Sequence, residues 1–498
     1  MKKRNVILHT AIASALLAMG VAAQAGTLTT TTKVFATQNF GSTTTATTEI
    51  VPGAVTYTYS TPGGIVLNNG GVINAYFRLN NGATFTAIPT TADFSGTVAT
   101  GLLLTKTSVA LSTDKTTLVL TLTNATGANV TIGVGATIVF TPAATRAVAN
   151  VNTVLNTAGN SVTMTASNSV LAALSGAGMN ATVALPADID GAAATAVSIA
   201  SAASGIGATV TAPAATETQK IDVTAATSQT LMTTGVATAS TSLVNLGSFT
   251  FTDSTTAAMQ LNGTTTYSVA NNGGATGVGA VVTGNFGSAA TTGAVVTGVT
   301  LSSTANCATP LVAGAVASVN TAKTVATFTG GTKQASAAPI YVCMLVNGTA
   351  VIPTTNPTIT TSLTPTAGAA EVAIAGSGTL YNLTLNGASV DVRSYIPAAA
   401  TGYATYLRVI NTGTSSAPIS VAVIDPTTGV AGASSVLGTL AAGAAKTYLA
   451  SDVETALGAS LAATLRPRIR VSGPTSSLQV QSFMSSPSGV FSDMTGAQ

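Results

Sequence analysis

Short segments in which apolar and hydroxyl-bearing side chains alternate recur along almost the whole of this sequence. The segments 55–59 and 118–123 are examples, and Asn81-Gly82 separates two similar segments. A period of two places successive side chains on opposite faces of an extended strand, and Asn-Gly is a typical hairpin turn. The pattern predicts an all-β protein made of several antiparallel, immunoglobulin-like β-sandwich domains in tandem.

Composition divides the chain into segments. The basic start, the apolar run and the Ala23-Gln24-Ala25 motif predict a signal peptide that is removed before Gly26. The expected segments are the signal peptide at 1–25, a Thr-rich arm, flexible or dependent on a partner, at 26–49, a β domain at 50–145, an Ala/Ser/Thr-rich region of uncertain structure at 146–240, a β domain with both cysteines at 241–365, and a C-terminal β-sandwich domain at 366–498.

One short helix is predicted in the C-terminal domain. Ser451 and Glu454 have the spacing of a capping box, in which each side chain accepts a hydrogen bond from the backbone N–H of the other residue. Gly458 follows after roughly two turns and is expected to end the helix.

The low content of charged residues restricts the function of the chain. Charged residues make up 6% of the sequence and hydrophobic residues 46%, which excludes disorder driven by charge. Loss of Lys2, Lys3 and Arg4 with the signal peptide reduces the 17 basic residues to 14, equal to the 14 acidic ones. No basic patch interleaved with aromatic residues is present, so no nucleic-acid partner is expected. Surfaces without net charge tend to associate, and we expect copies of the chain to assemble.

The histidine content excludes most enzyme mechanisms. His9, the only histidine, lies in the predicted signal peptide. Serine and cysteine nucleophiles activated by histidine, and most zinc and other transition-metal centres, need an imidazole. Catalysis by a pair of carboxylates stays formally open, as in polysaccharide cleavage. We therefore expect a protein that is not an enzyme, with no catalytic residues and no cofactor.

Two groups of residues invite structural interpretations. Cys307 and Cys343 are the only cysteines of a chain expected to be exported, so we predict a structural disulfide.

Asp188 and Asp190 could contribute to a structural calcium site, but Ala192 stands where a third ligand would be expected. A solvated loop is the favoured interpretation of this motif, and the sequence leaves open whether any metal binds.

Arg466, Arg468 and Arg470 alternate, so a strand would place all three on one face. One interpretation is a site that anchors the protein to phosphate or carboxylate groups of an outer-membrane glycolipid, which guanidinium groups bind in a bidentate manner. The favoured alternative is a charged edge strand, paired with Asp391, Asp425 or Glu454, that prevents unwanted strand pairing.

The last 250 residues or so resemble the C-terminal region of surface-layer proteins of Gram-negative proteobacteria. The resemblance rests on segments 392–398, 406–413, 422–426 and 466–471, and residues 306–307 and 341–343 are compatible with it. It implies a paracrystalline coat of β domains on the outer membrane, and leaves anchoring and calcium dependence undetermined. The alternative is a secreted filament or adhesin subunit that assembles by strand addition, and the Thr-rich segment 26–40 is a candidate donor strand.

Overall fold

The computed structural model describes residues 26–41, 49–98, 103–142, 148–191, 194–214, 219–225, 227, 229–235, 238, 240–365, 372–427, 429 and 431–493. The predicted signal peptide lies outside the described residues. The chain forms two compact units: the first takes Met1–Ile206, Asp253–Asn272 and Ala367–Ala373, and the second takes Gly207–Thr252, Gly273–Thr366 and Ile374–Gln498. The expectation of an all-β protein with several domains is confirmed, and each of the two units is assembled from separate segments of the chain.

The first unit is built from two larger antiparallel-rich sheets and two small ribbons. Its strands are β1 (Thr27–Thr30), β2 (Lys33–Ala36), β3 (Val55–Thr58), β4 (Ile65–Leu67), β5 (Val72–Leu79), β6 (Thr84–Phe85), β7 (Phe94–Ser95), β8 (Thr105–Leu111), β9 (Thr117–Thr123), β10 (Val130–Ile132), β11 (Thr137–Phe140), β12 (Val148–Ala149), β13 (Ser161–Ser169) and β14 (Val197–Ala203). The sheet orders are β1-β3-β11-β7, β2-β14-β13-β5-β9-β8, β10-β4 and β12-β6.

Alternate residues of these strands form the core of the first unit. Tyr57 of β3, Phe77 of β5 and Leu120 of β9 belong to one buried cluster. The unit also contains α1 (Asn152–Leu155), α2 (Val269–Asn272) and 3₁₀ helices at Thr37–Asn39, Thr91–Asp93 and Gly176–Met179. From Ile73 onward, β5 is buried on both faces. Met179 packs on the second face with Tyr76 and Val119, so the strand is covered from both sides.

The second unit contains four larger sheets and one two-stranded ribbon. Its strands are β15 (Ile206–Thr211), β16 (Leu243–Asp253), β17 (Gly273–Thr283), β18 (Thr291–Thr292), β19 (Val295–Val296), β20 (Val299–Ser302), β21 (Ser318–Val319), β22 (Val325–Gly331), β23 (Ile340–Leu345), β24 (Thr358–Pro365), β25 (Ile374–Thr379), β26 (Ala388–Val392), β27 (Ala404–Asn411), β28 (Ala417–Ile424), β29 (Ser435–Leu440), β30 (Ala445–Leu449), β31 (Arg468–Gly473), β32 (Leu478–Ser485) and β33 (Phe491–Asp493). The sheet orders are β15-β16-β23-β20, β21-β22-β17-β24-β25, β18-β19, β26-β31-β28-β29 and β30-β27-β32-β33.

The C-terminal part of the second unit is a β-sandwich. Val421 and Val471 of one four-stranded sheet share a buried cluster with Leu407 and Val480 of the other. Its helix α3 (Ala450–Leu457) contributes Val453 to the same cluster. The sandwich and the helix were both expected from the sequence.

The cap of α3 differs from the predicted capping box. The helix begins one residue before Ser451, and the Asp452 carboxylate accepts a hydrogen bond of 2.9 Å from the backbone N–H of Leu449. Glu454 is instead buried and accepts a hydrogen bond of 2.7 Å from the N–H of Ala398. Gly458 ends the helix in the left-handed region, with a φ of 66° that glycine adopts without strain.

The described part of the predicted arm, which was expected to be flexible or dependent on a partner, is paired within the first unit. β1 pairs antiparallel with β3, and β2 pairs parallel with β14. The N–H of Ala36 also donates to the carbonyl of Met259 at 3.0 Å. Residues 26–41 are therefore integrated in the first unit, and Leu28, Phe35 and Phe40 lie in its core.

Two further expectations are corrected by strand pairing. A boundary at 145/146 is wrong, because β13 pairs with β5 and carries the following segment into the first unit. Asn81 and Gly82 have the positive φ angles of a tight turn, 60° and 78°. The turn does not close a hairpin, since β6 pairs with β12 while β5 lies between β13 and β9.

Candidate functional site

Two of the three alternating arginines meet one carboxylate on the C-terminal sandwich. Arg470 lies directly opposite Asp391 in the β26–β31 pair. Its Nε and Nη2 donate to Oδ1 and Oδ2 of Asp391 at 2.7 and 3.1 Å, and Nη2 of Arg468 donates to Oδ2 at 3.2 Å. The Arg470 side chain is 11% exposed and that of Arg468 is 47% exposed. The two guanidinium groups thus share a single negative charge.

The structure corrects two expectations about this arginine cluster. β31 lies between β26 and β28, so it is not an edge strand. Arg466 precedes the strand, and its Nη1 donates to the carbonyls of Ala463 and Leu465 at 3.0 and 2.7 Å. The predicted pairing with Asp391 is present for Arg468 and Arg470, whereas Glu454 is used at the helix.

The arginine cluster has more positive than negative charge. Of the seven arginines that follow residue 25, four lie in or next to the paired strands β26 and β31: Arg393, Arg466, Arg468 and Arg470. Arg393 follows the end of β26 and is exposed, as are Arg466 and Arg468. Nη1 of Arg470 is buried without a hydrogen-bond acceptor among the described residues. The exposed guanidinium groups can bind an anion without breaking the Arg470–Asp391 pair.

The acidic motif of the first unit is buried, so the expectation of a solvated loop is wrong. Asp188 is 6% exposed and Asp190 is 2% exposed. The Tyr57 hydroxyl donates to Oδ2 of Asp188 at 2.9 Å and lies 3.5 Å from Oδ2 of Asp190. Asp190 also accepts hydrogen bonds from the N–H of Ser60, at 2.6 Å, and from the Thr61 hydroxyl. These donors lie far away in sequence and were not predicted.

Burial makes ionisation of Asp188 costly. It raises the pKa of Asp188 to about 6, although hydrogen bonds from the Asp190 N–H and from Tyr57 act in the opposite direction. The pKa values of Tyr57 and Tyr59 are also raised, first by burial and then by the charge of Asp188. The partners of the two carboxylates in the described part of the chain are neutral donors.

The contacts of Asp188 and Asp190 do not favour the calcium interpretation. Calcium takes roughly six to eight oxygen ligands. Here protein N–H and O–H groups donate to the carboxylate oxygens. No group of three His, Cys, Asp or Glu side chains that could hold a metal occurs in the described ranges.

The two cysteines form a disulfide, as predicted. Cys307 and Cys343 are 36 residues apart in sequence, with their Cα atoms 5.9 Å apart. Cys343 is fully buried on β23, opposite Asn245 of β16 and Thr300 of β20. Cys307 lies in the loop that follows β20, so the bridge fastens this loop to an interior strand of its sheet.

Comparisons with known proteins give no family for this chain. No family model matches it, and no curated protein was found as a relative. Among solved structures, the T6 backbone pilin of serotype M6 Streptococcus pyogenes is 14% identical, with 77% of this chain and 79% of the pilin chain covered and a TM-score of 0.21. A Salmonella alpha-2-macroglobulin mutant is 8% identical over 93% of this chain, with a TM-score of 0.21.

These structural similarities carry no argument about fold or function, because both TM-scores are low. The chain spans only 31% of the alpha-2-macroglobulin chain. No helix among the described residues is long and apolar enough to span a membrane.

Proposed function

We propose that this chain is an exported, non-enzymatic structural protein that assembles with copies of itself into a surface layer on the bacterial outer membrane. The proposal is supported above all by sheet edges that carry no protection against pairing. The resemblance of the C-terminal segments to surface-layer proteins supports the layer in particular. A secreted filament or adhesin is the second candidate, because open strand edges also favour strand addition.

Two such edges among the described strands are β25 and β29. Each lies at the edge of its sheet, and neither contains a charged residue or a proline. Ser377 and Thr379 of β25 are exposed, and Val436 of β29 is 63% exposed. Soluble proteins usually protect edge strands with lysine, proline or an inward-pointing charge. An edge without these features can accept hydrogen bonds from a strand of another copy.

The outer face of the sheet that contains β25 is also uncharged. Thr358 and Thr360 of β24 and Thr283 of β17 are exposed on this face. A shallow concavity of about 650 Å³ in it is lined by glycine, alanine, valine, threonine and serine, with Phe328 and Pro365. No charge in this concavity opposes close approach of another uncharged surface.

A lysine on β25 tests assembly through this edge. Ser377→Lys should abolish assembly of the chain 26–498, because an ammonium group on the edge strand must be desolvated when another strand pairs there. The matched control is Gln479→Lys, which places the same side chain at an exposed position of β32, a strand between β27 and β33 in the C-terminal sandwich. The control should assemble like the parent in light scattering and electron micrographs, with all three proteins equally folded by circular dichroism.

Several outcomes would contradict assembly through the β25 edge. Normal assembly of Ser377→Lys, or equal loss in both lysine variants, excludes a specific role of the edge. Flat lattices of the parent chain support a surface layer, and threads support the filament instead. A parent chain that stays monomeric at high concentration, in ordinary salt and with divalent ions, contradicts both functions.

The exposed arginines offer a means of attachment to phosphate or carboxylate groups of an outer-membrane glycolipid. A double variant, Arg466→Gln with Arg468→Gln, leaves the Arg470–Asp391 pair in place. It should weaken binding to cells stripped of their surface proteins by about tenfold or more, since charge-assisted hydrogen bonds contribute roughly 1.5–3 kcal/mol each. Lys446→Gln removes an exposed cation from β30 as the control. Unchanged cosedimentation of the double variant with cells would show that attachment does not use these arginines.

A further inference from the structure

The residue that follows the predicted cleavage site is buried against a tyrosine hydroxyl. Gly26 immediately precedes β1, in which Leu28 lies opposite Tyr57 of β3. A Cβ atom at Gly26 would lie 1.9 Å from Oη and 2.2 Å from Cζ of Tyr57, so no side chain fits at this position. Because a Cα–Cβ bond is about 1.5 Å long, Cα of Gly26 lies within about 3.5 Å of the Tyr57 hydroxyl oxygen.

The same hydroxyl group connects Gly26 to the buried acidic pair. Oη of Tyr57 donates to Oδ2 of Asp188 at 2.9 Å and lies 3.5 Å from Oδ2 of Asp190. The other contacts of the two carboxylates, among the residues described, are with N–H groups and hydroxyls. Buried carboxylates without a cation are costly, because neutral donors only partly replace the lost hydration. A positive group close to Tyr57 would therefore compensate negative charge on Asp188 and Asp190.

We propose that removal of the signal peptide supplies this positive group: the new α-ammonium of Gly26 forms a buried ion pair with Asp188 and Asp190. Hydrolysis of the Ala25–Gly26 peptide bond by the peptidase that removes the leader consumes one water. It leaves a carboxylate on Ala25 and an amino group on Gly26, which takes up a proton at neutral pH. In the uncleaved chain this nitrogen is a neutral amide and cannot compensate the charge.

The pairing of β1 makes Gly26 a suitable donor of this charge. Thr27 to Thr30 pair residue by residue with Thr58 to Val55, so the start of the processed chain is fixed beside β3. The amino nitrogen is one bond from the Cα atom that touches the Tyr57 hydroxyl. The absence of a side chain allows this nitrogen to approach the carboxylates. Cleavage thereby completes the interior of the first unit and couples export to its stability, an inference that rests on the proposed export and processing of the chain.

The test compares two forms of the chain 26–498, one with a free Gly26 amine and one with this amine acetylated. Acetylation removes the charge and should lower the unfolding temperature of the first unit by on the order of 5–10 °C. A third form with one alanine added before Gly26 displaces the ammonium group and should behave like the acetylated form. In the double variant Asp188→Asn with Asp190→Asn, acetylation should leave the unfolding temperature unchanged. Asp425→Asn, an exposed carboxylate of the C-terminal sandwich, is the matched control and should keep the full difference.

A second measurement tests the Gly26 amine itself. It uses the unsubstituted chain 26–498 and the control variant Asp425→Asn. The Gly26 amine should react with an acylating reagent at neutral pH about tenfold more slowly than a free α-amine, because each unit by which pairing raises its pKa lowers the reactive fraction tenfold. Equal unfolding temperatures of the free and acetylated forms, or full amine reactivity, would overturn the proposal. So would an acetylated form that calcium restores to the unfolding temperature of the free form, since the carboxylates would then hold a metal. These measurements need no assembly, so they are independent of the lattice test.

Discussion

Replacement of both Cys307 and Cys343 by serine is expected to lower the free energy of unfolding of the second unit by about 4 kcal/mol. The disulfide closes a loop between residues 36 positions apart, and its loss gives the unfolded chain more conformational freedom. In the folded state, the Asn245 side chain still donates to the Ala305 carbonyl at 3.0 Å and holds the loop. The free energy of unfolding is measured by denaturant titration, with hydrogen exchange of the backbone amides in β20 and β23 as the probe.

The reductant provides the control for the cysteine experiment. Reduction of the parent should produce the same loss as the double serine variant, and reductant should leave that variant unchanged. A loss below about 1 kcal/mol would contradict the expected contribution, because it would mean that the bridge restricts the unfolded chain very little.

Arg78→Met is expected to destabilise the first unit by about 3–5 kcal/mol, because it removes a buried charged group that makes four hydrogen bonds. The guanidinium group donates to Thr117 Oγ1 at 2.8 Å, to the Val183 carbonyl at 2.7 Å and to the carbonyls of Met179 and Asn180 at 3.1 and 3.2 Å. Methionine fills a similar volume but has no hydrogen-bond donor for the carbonyls of Met179 and Val183. Limited proteolysis should therefore cut the segment 176–183 much faster in the variant.

Two comparisons make the Arg78 experiment specific. Arg78→Lys keeps the charge but not the planar array of donors, and should lose an intermediate amount of stability. Arg408→Met changes an exposed arginine of β27 and should cost less than about 0.5 kcal/mol. If Arg78→Met were as stable as the parent, the segment 176–183 would not depend on the guanidinium group.

Local patterns in the sequence predicted the C-terminal sandwich well. The alternation around Leu407, Val421 and Val471 marks residues that share one core. Gly458 ends the helix as expected, because the left-handed conformation is a property of a single residue. The disulfide followed from the number of cysteines and the expected compartment, without knowledge of the fold.

Contacts between distant segments could not be predicted in the same way. The alternation around Arg78 indicates one buried face, but the second face is covered by a segment about 100 positions away, and this burial lowers the pKa of Arg78. Asp188 and Asp190 look like loop residues until Tyr57, Ser60 and Thr61 are placed around them. Asp114 shows the same effect: burial opposes its ionisation, yet hydrogen bonds from Ser112, the Ala181 N–H and Thr116 outweigh it and lower its pKa to about 2.

Acquisition of the finished fold is delayed by the discontinuous first unit. The segment Asp253–Asn272 belongs to this unit, and its Met259 accepts hydrogen bonds from the Ala36 N–H and the Asn39 side chain. A ribosome or a translocation channel releases the amino end first, so Ala36 and Asn39 are in place long before Met259 emerges. The first unit therefore cannot be completed until β15 and β16 of the second unit have been synthesised, although most of its own strands precede them in the chain.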